Sequence, residues 1–122
     1  LSGAILRTVT ISNATNTDWE DLAENDTHIF IADIGNNNGN RSDLKIFKIL
    51  KSDFKNNTTV SAEIISYSYE DQTDFSSQPN SSNFDSECIV ISGNDLLIFN
   101  KHWANFQSNI YSITYKQVNY DE

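Results

Sequence analysis

Apolar side chains recur along this chain in short bursts, some strictly alternating with polar residues and some continuous. Eight bursts stand out: "AILRTVTI" (4–11), "WEDLA" (19–23), "HIFIADI" (28–34), "LKIFKIL" (44–50), "VSAEIISYSY" (60–69), "ECIVIS" (87–92), "DLLIFN" (95–100) and "NIYSITY" (109–115). Each has strand length, is rich in Ile, Val, Phe, Tyr and Thr, and is bounded by Asn, Asp, Gly or Ser. None sustains the 3.6-residue spacing of an amphipathic helix, so the pattern predicts eight strands and no helix.

Two passages, "DLAENDTHIFIAD" and "CIVISGNDLLIFN", read alike as strand, tight polar turn, strand. Aligned, they place Asp18 on Asp85, Glu20 on Glu87 and Asp33 on Asn100 at a constant offset of 67. The following strands, "LKIFKI" and "NIYSIT", align after a three-residue deletion in the loop before them. An internal repeat of an antiparallel unit predicts an all-β chain of four-stranded β-propeller blades, about two of them, forming a partial propeller. A single domain is expected over 1–122: residues 1–12 as the outer strand of a preceding blade, 18–70 as one full blade, and 85–116 as the inner three strands of the next. The offset exceeds the roughly 40 to 50 residues of common propeller repeats, and the stretches 51–59 and 70–84 account for the excess. A β-sandwich is the alternative, because short strands with evenly spaced turns fit it too.

The balance of 8 basic against 17 acidic residues, net −9, argues against nucleic-acid or anionic-lipid partners and makes cations the natural ones. No apolar run approaches the roughly 18 residues of a membrane helix, so no membrane insertion is expected. The chain begins at Leu1, lacks methionine and carries no signal peptide, as expected of a processed piece or an excerpt. Its single cysteine, Cys88, excludes an internal disulfide and, among strand residues, reads as a small buried side chain. Neither His28 nor His102 has a zinc-like spacing. Sequons such as Asn13-Ala14-Thr15 are as well explained by the abundance of asparagine.

Together "DWEDLA", "DIGNNNGNRSDLKIFKI", "YSYEDQTDF", "FDSECIV" and "NKHW" resemble a family of secreted or cell-surface bacterial β-propeller proteins. A more distant likeness, through the acidic strand-opening Asp-x-Glu motif, is to phytase-like and lactonase-like propellers. The resemblance implies a whole propeller of about six blades, with this chain holding two of them and leaving two blade faces open. Neighbouring blades would cover those faces in a longer parent. In a stand-alone product, copies would associate in a ring, each N-terminal strand completing its neighbour's last blade.

The candidate chemistry is acidic. Asp18 and Glu20, like Asp85 and Glu87, are two apart on a strand and project to one face. With Asp33 and Asn100 a hairpin away, each unit would offer an oxygen-rich cluster suited to Ca²⁺, which takes six to eight oxygens. The competing reading is that these groups cap turns and accept backbone hydrogen bonds. Trp19, between two acids, faces the other way and is expected to pack between blades. Trp103 and His102, in the loop "NKHWANF", are the ligand-contact candidates, for a carbohydrate or another small ligand.

The loop "DIGNNNGNRSD" fails the EF-hand test: taking Gly39 as the turn glycine puts Ile34 and Lys45 where carboxylates are needed. It also lacks the P-loop and dinucleotide glycine spacings and reads as an inter-strand turn, held shut by Arg41 on Asp33 or Asp43, with Arg41 also a candidate ligand contact. No nucleophile motif is present. Binding or scaffolding is therefore expected over catalysis, with a metal-dependent hydrolase acting on phosphoesters or lactones as the alternative.

Overall fold

A computed structural model describes residues 2–115. Leu1 and residues 116–122, at the two ends of the expected domain, lie outside the described residues. The described residues are all-β apart from one short helix: β1 (Thr10–Ile11), β2 (Trp19–Glu24), β3 (His28–Asp33), β4 (Lys45–Leu50), α1 (Lys51–Asn56), β5 (Thr59–Val60), β6 (Glu63–Ser66), β7 (Asp85–Ser92), β8 (Asp95–Lys101) and β9 (Ile110–Thr114). Strands β2-β3-β4-β6 form one antiparallel meander and β7-β8-β9 another, both open at their edges, while β1 and β5 make a two-residue parallel bridge.

The repeat read from the sequence is present as a repeated register. Trp19↔Asp33, Leu22↔Ile31 and Glu24↔Ile29 recur 67 residues later as Ser86↔Asn100, Ile89↔Ile98 and Ile91↔Leu96. In the next pairing Ile31↔Phe47 recurs as Ile98↔Tyr111, so the third strand follows 64 residues later and its loop is three residues shorter. Both first strands also carry a bulge at the same place, around Glu20 and around Glu87. A bulge twists a strand and re-aims its side chains, and here it does so at the acidic end of each hairpin.

The other end of the hairpins is shaped by turn chemistry. The Asn25 side-chain oxygen accepts from the amides of Thr27 and His28 at 2.9 and 2.7 Å, fixing the β2–β3 turn. The β7–β8 turn uses Gly93 at φ 61°, a conformation glycine adopts without steric cost. Tyr115 ties the two turns together: its hydroxyl donates to Gly93 O at 2.8 Å, Asn25 Nδ2 donates to that hydroxyl, and its ring meets Phe30 edge-on.

Alternation along the strands gives each sheet two apolar faces. Phe30, Ala32 and Ile46 of the first sheet, joined by Ile34, pack on Ile89, Leu96 and Ile98 of the second, forming the core between the sheets. The opposite face of the first sheet, Ile31, Phe47 and Ile49, is partly covered by Val9, Ile11 and Ala14 from the N-terminal segment and by Val60 and Ala62. Strands β2 and β7 lie side by side, and the Ile89 amide donates to Asp21 Oδ2 at 2.9 Å across the gap.

Three expectations are corrected. The strand expected over 4–11 is realised only at Thr10–Ile11, because residues 4–9 meet no free strand edge; Ile5 and Leu6 stay exposed, and Arg7 anchors the segment by donating to Asn57 O at 2.7 Å. The stretch 60–69 is broken into β5 and β6 at Ala62, whose backbone is held by the Asn13 amide through two hydrogen bonds of 2.8 and 2.9 Å. A helix forms where none was expected; six residues with none buried leave no periodic apolar signal to read.

Candidate acidic site at the strand openings

The acidic candidates lie where β2 and β7 begin. Around them converge the asparagine-rich loop 34–44, the inter-sheet connection 70–84 and the loop 102–109. Asp18 and Glu20 flank Gly35, each with a carboxylate oxygen within 3.0 Å of where a Cβ on that glycine would stand. The Glu20 carboxyl is held above its ordinary range by burial first, then by the charge and hydrogen bond of Asp18, then by the charges of Glu87 and Asp85.

Gly35 is what lets the loop sit on these acids: a Cβ there would lie 2.1 Å from Asp18 Oδ2 and 2.7 Å from Glu20 Oε1. The reason for glycine is close approach rather than a left-handed backbone. Further along, Gly39 does need φ +68°, and a Cβ there would also collide with Ser82 Oγ at 2.4 Å.

Each remaining candidate has defined partners. Asp33 is fully buried, accepts from the Asp18 and Thr17 amides at 2.9 and 3.4 Å, and pairs with Arg41 Nη1 at 3.0 Å. Its counterpart Asn100 does the same job with an amide, donating to Asn83 O at 2.6 Å and accepting from the Asn109 amide at 2.7 Å. Both residues thus fasten the segment leading into their own hairpin. Asp85 is also buried, with one oxygen on the Asn36 amide at 2.8 Å and the other on Trp103 Nε1 at 2.9 Å. Glu87 is ion-paired with Lys101 at 2.8 Å.

Arg41 holds the loop shut as the sequence suggests. Besides Asp33 it meets Asp43 at 2.9 Å and donates to Gly35 O at 2.8 Å, and the hydrogen bond from Arg41 holds the Asp43 carboxyl below its ordinary range. Trp103 has its N–H committed to Asp85 and the Lys101 ammonium over its ring at 3.9 Å. His102 is buried, with Nδ1 3.1 Å from Asn105 Oδ1 and Nε2 without a hydrogen-bond partner among the described residues.

The structure therefore sets Asp18 and Glu20 beside Gly35, pairs Glu87 with Lys101, and gives Asp33, Asp85, Asn100 and Arg41 fastening roles. Among the described residues no three His, Cys, Asp or Glu side chains are arranged to hold a metal ion. Cys88, read from the sequence as buried, is exposed; burial and the Asp21 charge raise its thiol. A cluster the sequence pattern does not announce joins the two sheets: Tyr69 is buried, shares a hydrogen bond with Ser86, and packs against Tyr67, Phe84 and Tyr111. Its only sequence trace is the alternation in "YSY".

No helix among the described residues is long and apolar enough to cross a membrane. No family model matches this sequence, and no curated protein or solved structure is significantly similar to it.

Proposed function

We propose that this chain is a binding or scaffolding segment of a β-propeller, supplying about two blades rather than a catalytic centre, and that it works at the cell surface or outside it. The observation that carries the reading is the recurrence of one meander, with the same register and the same bulge, beside itself in the chain. Repetition of a whole unit with its acidic opening is what blades arranged around an axis require. The side-by-side first strands β2 and β7 fit the inner positions of such blades. The location follows the resemblance alone.

The calcium part of the proposal narrows to Asp18 and Glu20, since Glu87 is ion-paired with Lys101. Asp33, Asp85 and Asn100 already spend their oxygens on backbone amides, Trp103 and Arg41. A cation between Asp18 and Glu20 would relieve the crowding that raises the Glu20 carboxyl. The test is a thermal melt in calcium and in chelator. A calcium-dependent rise in Tm, absent in Glu20→Gln, supports the site; identical melts remove calcium from the proposal and leave the scaffold. Turnover assays with a phosphomonoester and a lactone complete the test. Divalent-dependent hydrolysis lost in Glu87→Gln, with the fold intact, would replace the scaffold reading by the hydrolase one.

A further inference from the structure

The two sheets are one unit written twice, so each face of one has a counterpart on the other. The face of the second sheet buried in the core carries Ile89, Leu96, Ile98 and Tyr111. By register these match Leu22, Ile29, Ile31 and Phe47 of the first sheet. The buried face of the first sheet carries Ala23, Phe30, Ala32 and Ile46, matched in the second by Val90, Leu97, Phe99 and Ile110. The internal interface thus joins one type of face to the other. Among the described residues each type recurs once on the far side of the pair: on the first sheet it is covered at Ile31 and Phe47 by the N-terminal segment, Val60 and Ala62 but open at Leu22, and on the second it is open at Val90 and Ile110.

Exposure marks the difference. Leu22 is 65% exposed where its counterpart Ile89 is 4%, and Ile110 is 60% exposed where Ile46 is fully buried. The open face of the first sheet is a groove of about 750 Å³ lined by Val9, Trp19, Leu22, Ile29 and Phe54 among others. The N-terminal segment floors part of it without filling it. On the second sheet, Val90 at 44% exposed shares the face of Ile110, with Leu97 and Phe99 on the strand between them, as the matching apolar surface.

We infer that the Val90–Leu97–Phe99–Ile110 face of one copy of this chain seats in the Trp19–Leu22–Phe54 groove of another, continuing head to tail the interface that joins the two sheets inside each copy. The contact is heterologous: it uses two different surfaces, so a chain of copies ends only by closing into a ring or by running out of partners. It is weaker than the internal junction in one respect. There, Asp21 accepts from the Ile89 amide. Cys88 stands where Asp21 would be needed in the next junction, and the corresponding Leu22 amide is already taken by its own Asp21 at 2.8 Å. Association is therefore concentration-dependent.

This inference rests on the sheet-stacking part of the proposed function and needs no cation. It is tested by light-scattering mass measurement of the purified chain between about 1 and 200 µM in chelator, the range over which modest interfaces assemble. The wild-type mass is expected to rise above that of the monomer. Leu22→Lys, which spoils the groove, and Ile110→Lys, which spoils the opposite face, should each remain monomeric with wild-type circular dichroism. Mixed in equal amounts they should form a one-to-one dimer, because each retains the surface the other lacks. Phe54→Lys and Val90→Lys form a second pair should either of the first fail to fold. A wild-type chain that stays monomeric overturns the inference alone, since neighbouring sheets of a longer chain could still cover both faces. Self-association of Ile110→Lys at wild-type strength means that groove meets groove, and it overturns both the inference and the propeller arrangement beneath it; no dimer in the mixture overturns the inference alone.

Discussion

Single side chains at the strand openings divide into fasteners and free acids, and substitution should separate them. Asp85 receives two donors in a buried setting. Asp85→Asn keeps the shape but turns an amide N–H toward one of those donors, and urea denaturation should show a loss of about 1–3 kcal/mol, the usual cost of an unsatisfied buried group. Glu20 behaves in the opposite sense. Its folded pKa is raised, by burial and then by Asp18, so the folded chain holds that proton more tightly than the unfolded one. Ionised Glu20 therefore costs stability at neutral pH, and the cost fades as pH falls through the raised value toward the ordinary one. Glu20→Gln is expected to raise Tm slightly at pH 7 and to lose that effect as pH falls to the ordinary carboxylate range, a difference scanning calorimetry at two pH values would resolve. The sequence revealed that these acids were paired and repeated. It also offered the reading in which they accept backbone hydrogen bonds and Arg41 pairs with Asp33, as the structure shows; the Asn36 and Trp103 donors on Asp85 were not legible, because they arrive from distant loops.

Among the elements, the loops carry the interdependence. The 34–44 loop is laced to the inter-sheet connection: the Gln78 and Asn80 amides donate to Asn38 O and Asn37 O at 2.7 and 3.0 Å, and Gln72 Nε2 donates to Gly39 O at 2.9 Å. Gly39→Ala would strain a positive φ and strike Ser82, and a loss of at least about 1 kcal/mol is expected in denaturant titration. Asn13 plays a comparable part at the break between β5 and β6, where its amide stands in for a strand. Asn13→Ala should lower stability by about 1–2 kcal/mol and speed hydrogen exchange at the Ala62 amide before it affects β2–β4. Hairpins and their register were legible because alternation and turn residues are local. The Asn13 bridge and α1 were not, since one is a contact 49 residues apart and the other is too short and too exposed to leave a period.

For the whole molecule, charge and topology act together. With 17 acidic and 8 basic residues the folded chain repels itself, and salt screens that repulsion. Tm is expected to rise between low salt and about 0.5 M sodium chloride at pH 7, opposite in sign to a fold dominated by its surface ion pairs. The sequence showed the repeat, and the repeat implied two unlike outer faces. Which residues fill those faces became readable only through the strand registers, because a shift of one position would have exchanged every inward and outward side chain.

The chain's one thiol gives this arrangement a built-in reporter. Cys88 is exposed and shares a sheet face, by register, with Phe99 and Ile110. A thiol reagent applied at alkaline pH would therefore titrate that surface directly: slow, concentration-dependent labelling would time how long the surface stays covered, and no probe need be engineered into a molecule that already carries a single exposed sulfur.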